Sequence, residues 1–255
     1  SELGEAVLTT FNESTHAPHN SNGFHTQETC SQYNALKLTR HRLRWGPTVA
    51  LADEYEVKLL NGILGVQQPG VVGSYSYMTP LGRGVNRNKW DWYGFGTANN
   101  SFWCCYGTGI ESFAKLGDSI YFYSPSPPSP PSSNNPSYAS YATSANTTPN
   151  ASATAAEDSP PLLLISQFIP SNLTWAAAGV LLEMDAALSL APTALLSVHI
   201  TFAAIGEPSL VPRVRIPGWA AAGSMLTYRG GSSKPVEAGT FLRVAAPPGG
   251  WRAGD

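Results

Sequence analysis

The hydrophobic pattern of this chain changes near residue 118, and that change limits the folds that the chain can adopt. Before this point, apolar side chains recur at three- and four-residue steps, as they do on one face of an α-helix. After it, apolar and β-branched residues form short, often alternating runs that are typical of strands. Helical and strand segments that are segregated along a chain favour two separately built parts. We therefore predict an α-then-β fold, with one domain over residues 1–117 and a second over residues 118–255.

Within the first part, the apolar spacing predicts long helices over residues 28–45 and 48–64 and a short helix over residues 109–116. Gly46-Pro47 separates the two long helices, which favours a helical hairpin. Residues 66–103 are rich in Gly, Pro, Tyr and Trp and too long for a plain connector, so we expect a functional loop or a wandering hairpin there. In the second part, strands are predicted in the segments SIYFYS, LLLISQFIP, SVHITFAA, PRVRIP and TFLRVAA.

A Ser/Pro-rich stretch interrupts the predicted β-domain. Residues 124–160 favour an extended, solvated chain that cannot bury a core, so we predict a disordered insertion in a hairpin loop. The composition is similar to that of hydroxyproline-rich wall glycoproteins, although loop tips also accept insertions that have no role of their own. N-x-Ser/Thr sequons, which suit a secreted protein but arise by chance in Ser/Thr-rich chains, begin at Asn12, Asn99, Asn146, Asn150 and Asn172.

Charge and hydropathy exclude two classes of partner. Only 13% of the 255 residues are charged and the formal net charge is −2, without the clustered Lys and Arg that nucleic-acid binding needs. No apolar run reaches the roughly 18 residues that a membrane-spanning helix requires. The chain starts without a leader and ends directly after a strand-like segment, so we interpret it as a piece of a longer protein.

The three cysteines and one nearby carboxylate form a candidate metal set. An odd number of cysteines argues against a disulfide framework, and Cys104-Cys105 together with Glu28 and Cys30 offers three thiols and a carboxylate to a tetrahedral zinc ion. Neighbouring strand residues point to opposite faces, and residues i and i+2 of a helix do not share a face. A shared ion therefore requires irregular backbone at both places. Buried structural thiols and a strained disulfide between Cys104 and Cys105 are the alternatives.

Five segments in this order carry a resemblance to a known family: ETCSQYNALKLTRHRLRW, LADEYEVKLLNGILGVQQPG, SYMTPLGRG, SFWCCYGTGIESFAKLGDSIYF and RIPGWA. Together they resemble glycoside hydrolase family 127, the β-L-arabinofuranosidase-like enzymes, over almost the whole chain outside the Ser/Pro-rich insertion. The resemblance implies that residues 1–117 are the C-terminal part of an (α/α)6 barrel and that residues 118–255 begin a β-sandwich. A six-hairpin barrel has about twelve helices and this segment supplies two or three long ones, so its zinc set can be complete in a chain that is inactive alone.

The resemblance also implies a mechanism. It gives zinc as the cofactor, with Glu28, Cys30, Cys104 and Cys105 as its ligands, and it makes Cys104 the nucleophile of a retaining glycosidase. It places Tyr77 near the sugar and the nucleophile, and plain packing of a tyrosine in a Gly/Pro-rich loop is the other interpretation of this residue. The implied substrate is an arabinose-containing glycan or glycoprotein, from which L-arabinofuranose, or a similar furanose, is released at the non-reducing end.

Glu5, in a Gly-Glu element, corresponds to the general acid of the family. The sequence between Glu5 and Glu28 departs from the family pattern, so Glu13 is a rival and a plain surface carboxylate is the other interpretation of Glu5. A stacking surface for a sugar ring can come from Trp90, Trp92, Tyr93, Phe102 and Trp103, of which we expect Phe102 and Trp103 to pack in the core.

Two other classes of function stay open on the sequence. The first is a non-catalytic, zinc-stabilised carbohydrate-binding or structural fragment, in which the metal contributes to folding. The second is a redox-sensing pair, Cys104-Cys105, without a metal. A Cys104 sulfur that faces an open pocket favours the enzyme, whereas a buried one favours the structural site.

Overall fold

A computed structural model describes residues 25–81, 95–97, 99, 103–124, 161–189, 195–206, 209–227 and 233–255. The predicted disordered insertion lies outside this range except for Ser124, as do Glu5, Glu13, Trp90, Trp92, Tyr93 and Phe102. The described residues divide into two compact units at Asp118 and Ser119, with Thr48–Ala50 grouping with the second unit. The first unit is mainly helical and the second consists mainly of strands. Their interpretation as a barrel part and a sandwich stays a prediction.

The first unit contains strands β1 (His25–Glu28) and β2 (Met78–Leu81), helices α1 (Thr29–Trp45) and α3 (Cys104–Phe113), and helix α2 (Val49–Val57) from its third residue onward. The predicted helix over residues 28–45 is confirmed as α1, which ends before Gly46. The second predicted helix is present, but only its first half is α-helical: Lys58–Ile63 is a π-helical turn and Leu64–Val66 a 3₁₀ turn. The predicted third helix is wrong at its start, because α3 begins five residues earlier, at Cys104.

The core of the first unit forms where α1 packs against the π-helical turn and against α3. This packing buries the apolar faces that the sequence pattern predicted. It also keeps α1 in contact with α3, the helix that begins with the cysteine pair. The buried apolar side chains of the helical segments, including α2 and the 3₁₀ turn, include Tyr33, Leu36, Leu43, Leu51, Tyr55, Leu59, Ile63, Val66, Cys105 and Tyr106.

The segment after α2 is ordered through backbone pairing in its described part. Gln67 and Tyr75 form an isolated bridge, and Ser76 pairs in the same way with Phe95. Farther on, β2 pairs antiparallel with β1, so that Glu28 faces Met78. Residues 76 to 81 therefore run alongside the chain at the start of α1.

The second unit contains strands β3 (Tyr121–Ser124), β4 (Leu162–Ile165), β5 (Ser171–Trp175), β6 (Val180–Ser189), β7 (Leu195–Ala204), β8 (Val211–Ile216), β9 (Met225–Thr227), β10 (Ser233–Pro235) and β11 (Thr240–Arg243). They form a four-stranded sheet in the order β11-β8-β4-β3, a three-stranded sheet β5-β6-β7 and a two-stranded pair β9-β10. The neighbours β4 and β8 are parallel, and the other pairs are antiparallel. Because β3 and β4 pair as a hairpin, residues 125–160 connect two adjacent strands.

The core of the second unit follows from strand alternation. In β6, the buried residues Val180, Leu182 and Met184 alternate with exposed ones, as in a strand with one face against a core. They pack in one apolar cluster that also contains Ile120, Leu163, Ile165, Trp175, Phe202, Leu210, Val244 and Trp251. Within the described parts of the chain, no helix has the length and apolar character needed to cross a membrane.

Candidate metal centre and active site

The four predicted ligands lie at two places where an extended backbone turns into a helix. Glu28 is the last residue of β1, with extended φ and ψ of −87° and 130°, and Cys30 is the second residue of α1. Cys104 and Cys105 are the first two residues of α3, and Trp103 before them is extended, with φ −71° and ψ 154°. The expectation of irregular backbone at the cysteine pair is therefore wrong, because both residues lie within a regular helical turn. Successive helical side chains diverge by about 100° and can approach a common point that lies between them.

The ligand atoms of these four residues converge. One carboxylate oxygen of Glu28 and the sulfurs of Cys30, Cys104 and Cys105 all lie within 4.8 Å of one another. The Cys104 and Cys105 sulfurs are 3.9 Å apart, and the Cys105 sulfur lies 3.3 Å from Glu28 Oε1. Zn–S and Zn–O bonds of about 2.3 and 2.1 Å give tetrahedron edges of about 3.8 Å between sulfurs and about 3.6 Å between sulfur and oxygen. The donor types therefore suit a metal ion such as zinc, and these two separations lie close to the tetrahedron edges, whereas the widest separation must shorten by up to about 1 Å.

The four side chains differ in their exposure, and the pKa values of Cys105 and Cys30 are shifted in opposite directions. Cys105 is fully buried, Glu28 and Cys30 are partly buried, and Cys104 is exposed. The pKa of Cys105 lies far above its usual value, first because of its hydrogen bond with Cys30 and then because of burial. The same hydrogen bond lowers the pKa of Cys30, against the opposing effects of burial and of Glu28. Without a cation, Cys105 is thus held as a thiol that donates to its neighbours.

Tyr77 contacts the exposed cysteine. Its hydroxyl oxygen lies 3.1 Å from Cys104 Sγ, and its ring meets the edge of the Tyr106 ring, with centroids 5.5 Å apart and an interplanar angle of 75°. Burial, followed by the hydrogen bond with Cys104, raises the pKa of the Tyr77 phenol. The phenol therefore keeps its proton at neutral pH and can donate it in a hydrogen bond to the sulfur.

The structure thus brings together Glu28, Cys30, Cys104, Cys105 and Tyr77. The alternative of a disulfide between the neighbouring cysteines is wrong, because no disulfide joins Cys104 to Cys105. Whether Glu5 or Glu13 approaches the cluster lies outside the described residues, and the role of each residue stays a prediction.

Trp103 corrects a further expectation. We expected its side chain to pack in the core, but it is 54% exposed. It comes directly before Cys104 in the chain, so two exposed residues follow one another at the start of α3.

Two residues at the site were missed by the sequence analysis. Thr29, between Glu28 and Cys30, is buried and donates a hydrogen bond from Oγ1 to the Ser76 carbonyl oxygen at 2.8 Å. Tyr106, directly after Cys105, supplies the ring edge against Tyr77. Their adjacency to the predicted ligands was the only sequence signal for either of them.

One family model matches the part of the chain that contains this cluster. Residues 4–118 match the family model described as beta-L-arabinofuranosidase, GH127 catalytic domain. The matched range contains the four clustered side chains and Tyr77. A comparison with curated proteins found no significant match.

Proposed function

We propose that this protein, whose residues 4–118 belong to the catalytic domain of glycoside hydrolase family 127, is a zinc-dependent retaining glycosidase that releases L-arabinofuranose or a similar furanose. Membership of this family makes it a β-L-arabinofuranosidase-like glycosidase. The observation that carries the finer proposal is the convergence of three cysteine sulfurs and a carboxylate oxygen, with one sulfur, that of Cys104, on an exposed residue.

In this proposal Glu28, Cys30, Cys104 and Cys105 hold the zinc ion. When bound, the ion supplies the positive charge that keeps the coordinating sulfurs as thiolates at neutral pH. Cys105 is buried and Cys30 is partly buried, which suits a purely coordinating role for both. Cys104 is the exposed member of the set and can reach a substrate.

Cys104 acts as the nucleophile in the first half of the reaction. Its thiolate attacks the anomeric carbon and forms a C–S bond while the glycosidic C–O bond breaks, and the electron pair of that bond leaves with the oxygen. A general acid, for which we propose Glu5, donates the proton that the leaving oxygen takes up. Tyr77 holds the Cys104 sulfur in place through the 3.1 Å contact.

Water completes the second half. It attacks the same carbon, the C–S bond breaks, and its electron pair returns to the Cys104 sulfur, while the carboxylate formed in the first half takes the proton from water. Two displacements at one carbon leave the anomeric configuration unchanged, so the enzyme is of the retaining class. A sulfur thus replaces the second carboxylate that most retaining glycosidases use.

The competing proposal is a zinc site that only stabilises a carbohydrate-binding or structural fragment. A structural zinc site is closed by four protein ligands, and this set also has four. The exposure of Cys104 and its contact with Tyr77 favour the catalytic role, because a purely structural site needs neither an exposed ligand nor a polar group directed at it.

The fold and the substrate can be proposed in more detail. We propose that α1, α2 and α3 belong to the C-terminal part of an (α/α)6 barrel, supported by the short link between α1 and α2 and the family match. The two larger sheets around one apolar cluster support a β-sandwich for the second unit.

The substrates are β-linked, arabinose-containing glycans, and hydroxyproline-linked arabinosides are suggested by the Ser/Pro-rich composition of residues 125–160.

The first experiment measures bound zinc per chain and arabinose release from a β-L-arabinofuranoside. We expect about one zinc ion per chain. Cys104→Ser should release no arabinose even after zinc is restored. Ser112→Ala is the matched control, because Ser112 lies about two turns along the same helix and should retain activity.

Each outcome decides between the proposals. Zinc with Cys104-dependent hydrolysis supports the enzyme. Zinc in a wild-type chain that releases no arabinose leaves a structural site or a barrel part that is inactive alone, and the same assay on the full-length protein decides between these two. Folded, reduced protein that binds no zinc overturns the ligand set on which both proposals depend.

A further inference from the structure

We propose that Thr29 is a positioning residue, which locks the Ser76–Tyr77 segment onto the start of α1 and so sets the position of the Tyr77 phenol at Cys104. This inference rests on the proposed function, because it gives Thr29 a role in the same site. The role is indirect, since no contact between Thr29 and the clustered sulfurs is needed for it.

Thr29 makes two hydrogen bonds to consecutive residues of that segment. Its Oγ1 donates to the Ser76 carbonyl oxygen at 2.8 Å, and its backbone N–H donates to the Tyr77 carbonyl oxygen at 3.2 Å. Thr29 is only 1% exposed, so water does not compete for these bonds. One residue thus holds two successive carbonyl groups, those of Ser76 and Tyr77, which follow it by 47 and 48 positions along the chain.

Because of where Thr29 lies, its two hydrogen bonds fix the Ser76–Tyr77 segment relative to the proposed ligands. It lies between the proposed ligands Glu28 and Cys30, and its N–H is one of the first-turn helix amides that need a partner outside the helix. The β1–β2 ladder ends next to it, at the pair Glu28 and Met78. Any shift of Ser76 and Tyr77 relative to Thr29 is therefore also a shift relative to two proposed ligands.

Tyr77 links the start of α1 to α3, the helix that holds Cys104 and Cys105. Its hydroxyl contacts Cys104 and its ring packs edge-on against Tyr106, and both partners lie in α3. Tyr77 is thus fixed at its backbone by Thr29 and at its ring by α3. Loss of the Oγ1 bond should loosen the backbone end, and misplacement of a group by about 1 Å can lower a catalytic rate as much as 100-fold.

The test uses three variants with nearly the same shape. Thr29→Val removes the hydroxyl but keeps the branched side chain, and Thr29→Ser keeps the hydroxyl. Thr39→Val is the matched control, because Thr39 is also a buried threonine of α1, whose Oγ1 donates to Ala35 O at 3.0 Å within the helix. It loses the same kind of bond without touching the Ser76–Tyr77 segment.

The first readout is the kinetics of arabinose release. Thr29→Val should lower kcat about tenfold with little change in KM, whereas Thr29→Ser and Thr39→Val should stay within about twofold of wild type. In a Tyr77→Phe background, Thr29→Val should cause little further loss, because both changes remove the same restraint. Fully additive losses would show that Thr29 does not act through Tyr77 and would overturn the proposal.

The second readout needs neither zinc nor turnover. Alkylation of Cys104 by iodoacetamide is followed by peptide mass spectrometry in the metal-free protein. Thr29→Val and Tyr77→Phe should change the alkylation rate in the same direction by about 2- to 12-fold, the equivalent of one hydrogen bond. Thr29→Ser and Thr39→Val should leave the alkylation rate unchanged.

The two readouts separate failure of this inference from failure of the proposed function. If the full-length wild-type protein releases no arabinose but the alkylation pattern holds, the glycosidase proposal fails and the positioning role of Thr29 stands. If Tyr77→Phe leaves the alkylation rate unchanged, or Thr29→Val behaves like Thr39→Val, the proposal for Thr29 is overturned.

Discussion

The hydroxyl oxygen of Tyr77 lies 3.1 Å from the sulfur of Cys104. This contact joins the chain that follows α2 to the first residue of α3, and it is made by the most exposed of the clustered cysteines. In the proposed reaction that sulfur must meet the anomeric carbon along a narrow approach, so its orientation matters as much as its charge.

Replacement of Tyr77 by Phe should lower kcat by roughly 10- to 100-fold, since a hydrogen bond to a charged group contributes ~1.5–3 kcal/mol. Bound zinc and KM should change little, because the phenyl ring that remains can still pack against Tyr106. The measurement is steady-state arabinose release together with zinc analysis of the same sample. An increase in kcat would contradict the prediction, because it would mean that the phenol only weakens the nucleophile.

Replacement of Trp103 by Ala tests whether the exposed indole next to Cys104 binds substrate. An aromatic contact contributes ~0.5–1.5 kcal/mol, so KM should rise about 2- to 12-fold. The free energy of unfolding should change by less than ~0.5 kcal/mol, as for other exposed positions. Trp45→Ala is the matched control, because Trp45 is 65% exposed at the far end of α1 and should not affect KM.

The outcome for Trp103 also decides between two interpretations of this residue. The sequence favoured a packing role, whereas its exposure favours contact with a ligand. A Trp103→Ala protein that unfolds much more readily, with an unchanged KM, would restore the packing role.

The helices show which structural features can be predicted from the local sequence and which cannot. The bounds of α1 follow from its apolar spacing and from Gly46-Pro47, which end the pattern. The start of α3 was missed because Gly107-Thr108-Gly109 is typical of a turn, yet in the structure all three residues lie within the helix. Each glycine there costs ~1 kcal/mol relative to alanine. The burial of Cys105 and Tyr106 offsets that cost, and such tertiary contacts leave no local pattern.

The residues of the site also fall into two groups, those that the sequence predicted and those that it did not. The four proposed ligands could be found from their residue types and the family resemblance, since thiols and carboxylates are recognisable zinc donors. Thr29 could not be found, because its value lies in a hydrogen bond to a backbone carbonyl of residue 76, and any residue type can supply that acceptor. The π-helical turn of Lys58–Ile63 was also missed, because one apolar pattern runs through it unbroken.

The Glu111 carboxylate should titrate well below an ordinary glutamate. A hydrogen bond from Lys115, and after it one from Tyr33, lowers the pKa of Glu111 from 4.5 to about 2. Because the folded pKa is the lower one, the stabilising contribution is complete above pH 4.5 and is lost as the pH falls towards 2. The side chains of Glu111 and Lys115 are well exposed, so added salt should weaken the effect.

Carboxyl-carbon NMR titration of Glu111 measures this directly. In Lys115→Gln the midpoint should move up towards 4.5, because the largest cause of the shift is removed. Lys37→Gln is the control, since Lys37 lies farther away, at 3.8 Å, and its charge is the smallest of the contributions to the pKa of Glu111. Equal shifts in the two variants would mean that general charge, and not the hydrogen bond, sets the pKa.

Gly206 should tolerate a side chain poorly, because a Cβ there would press against backbone atoms of the facing chain. An added Cβ would lie 3.1 Å from the Ala178 carbonyl oxygen and 3.2 Å from Gly179 Cα, while the Gly206 N–H donates to Gly179 O at 3.0 Å. Gly206→Ala should therefore lower the free energy of unfolding by ~1–3 kcal/mol, the usual cost of overpacking. Gly117→Ala adds the same methyl group where nothing lies within 4 Å, so it should be neutral or slightly stabilising. Urea unfolding followed by circular dichroism measures both, and a neutral Gly206→Ala would mean that the chain at residues 178–179 can shift without breaking its hydrogen bond.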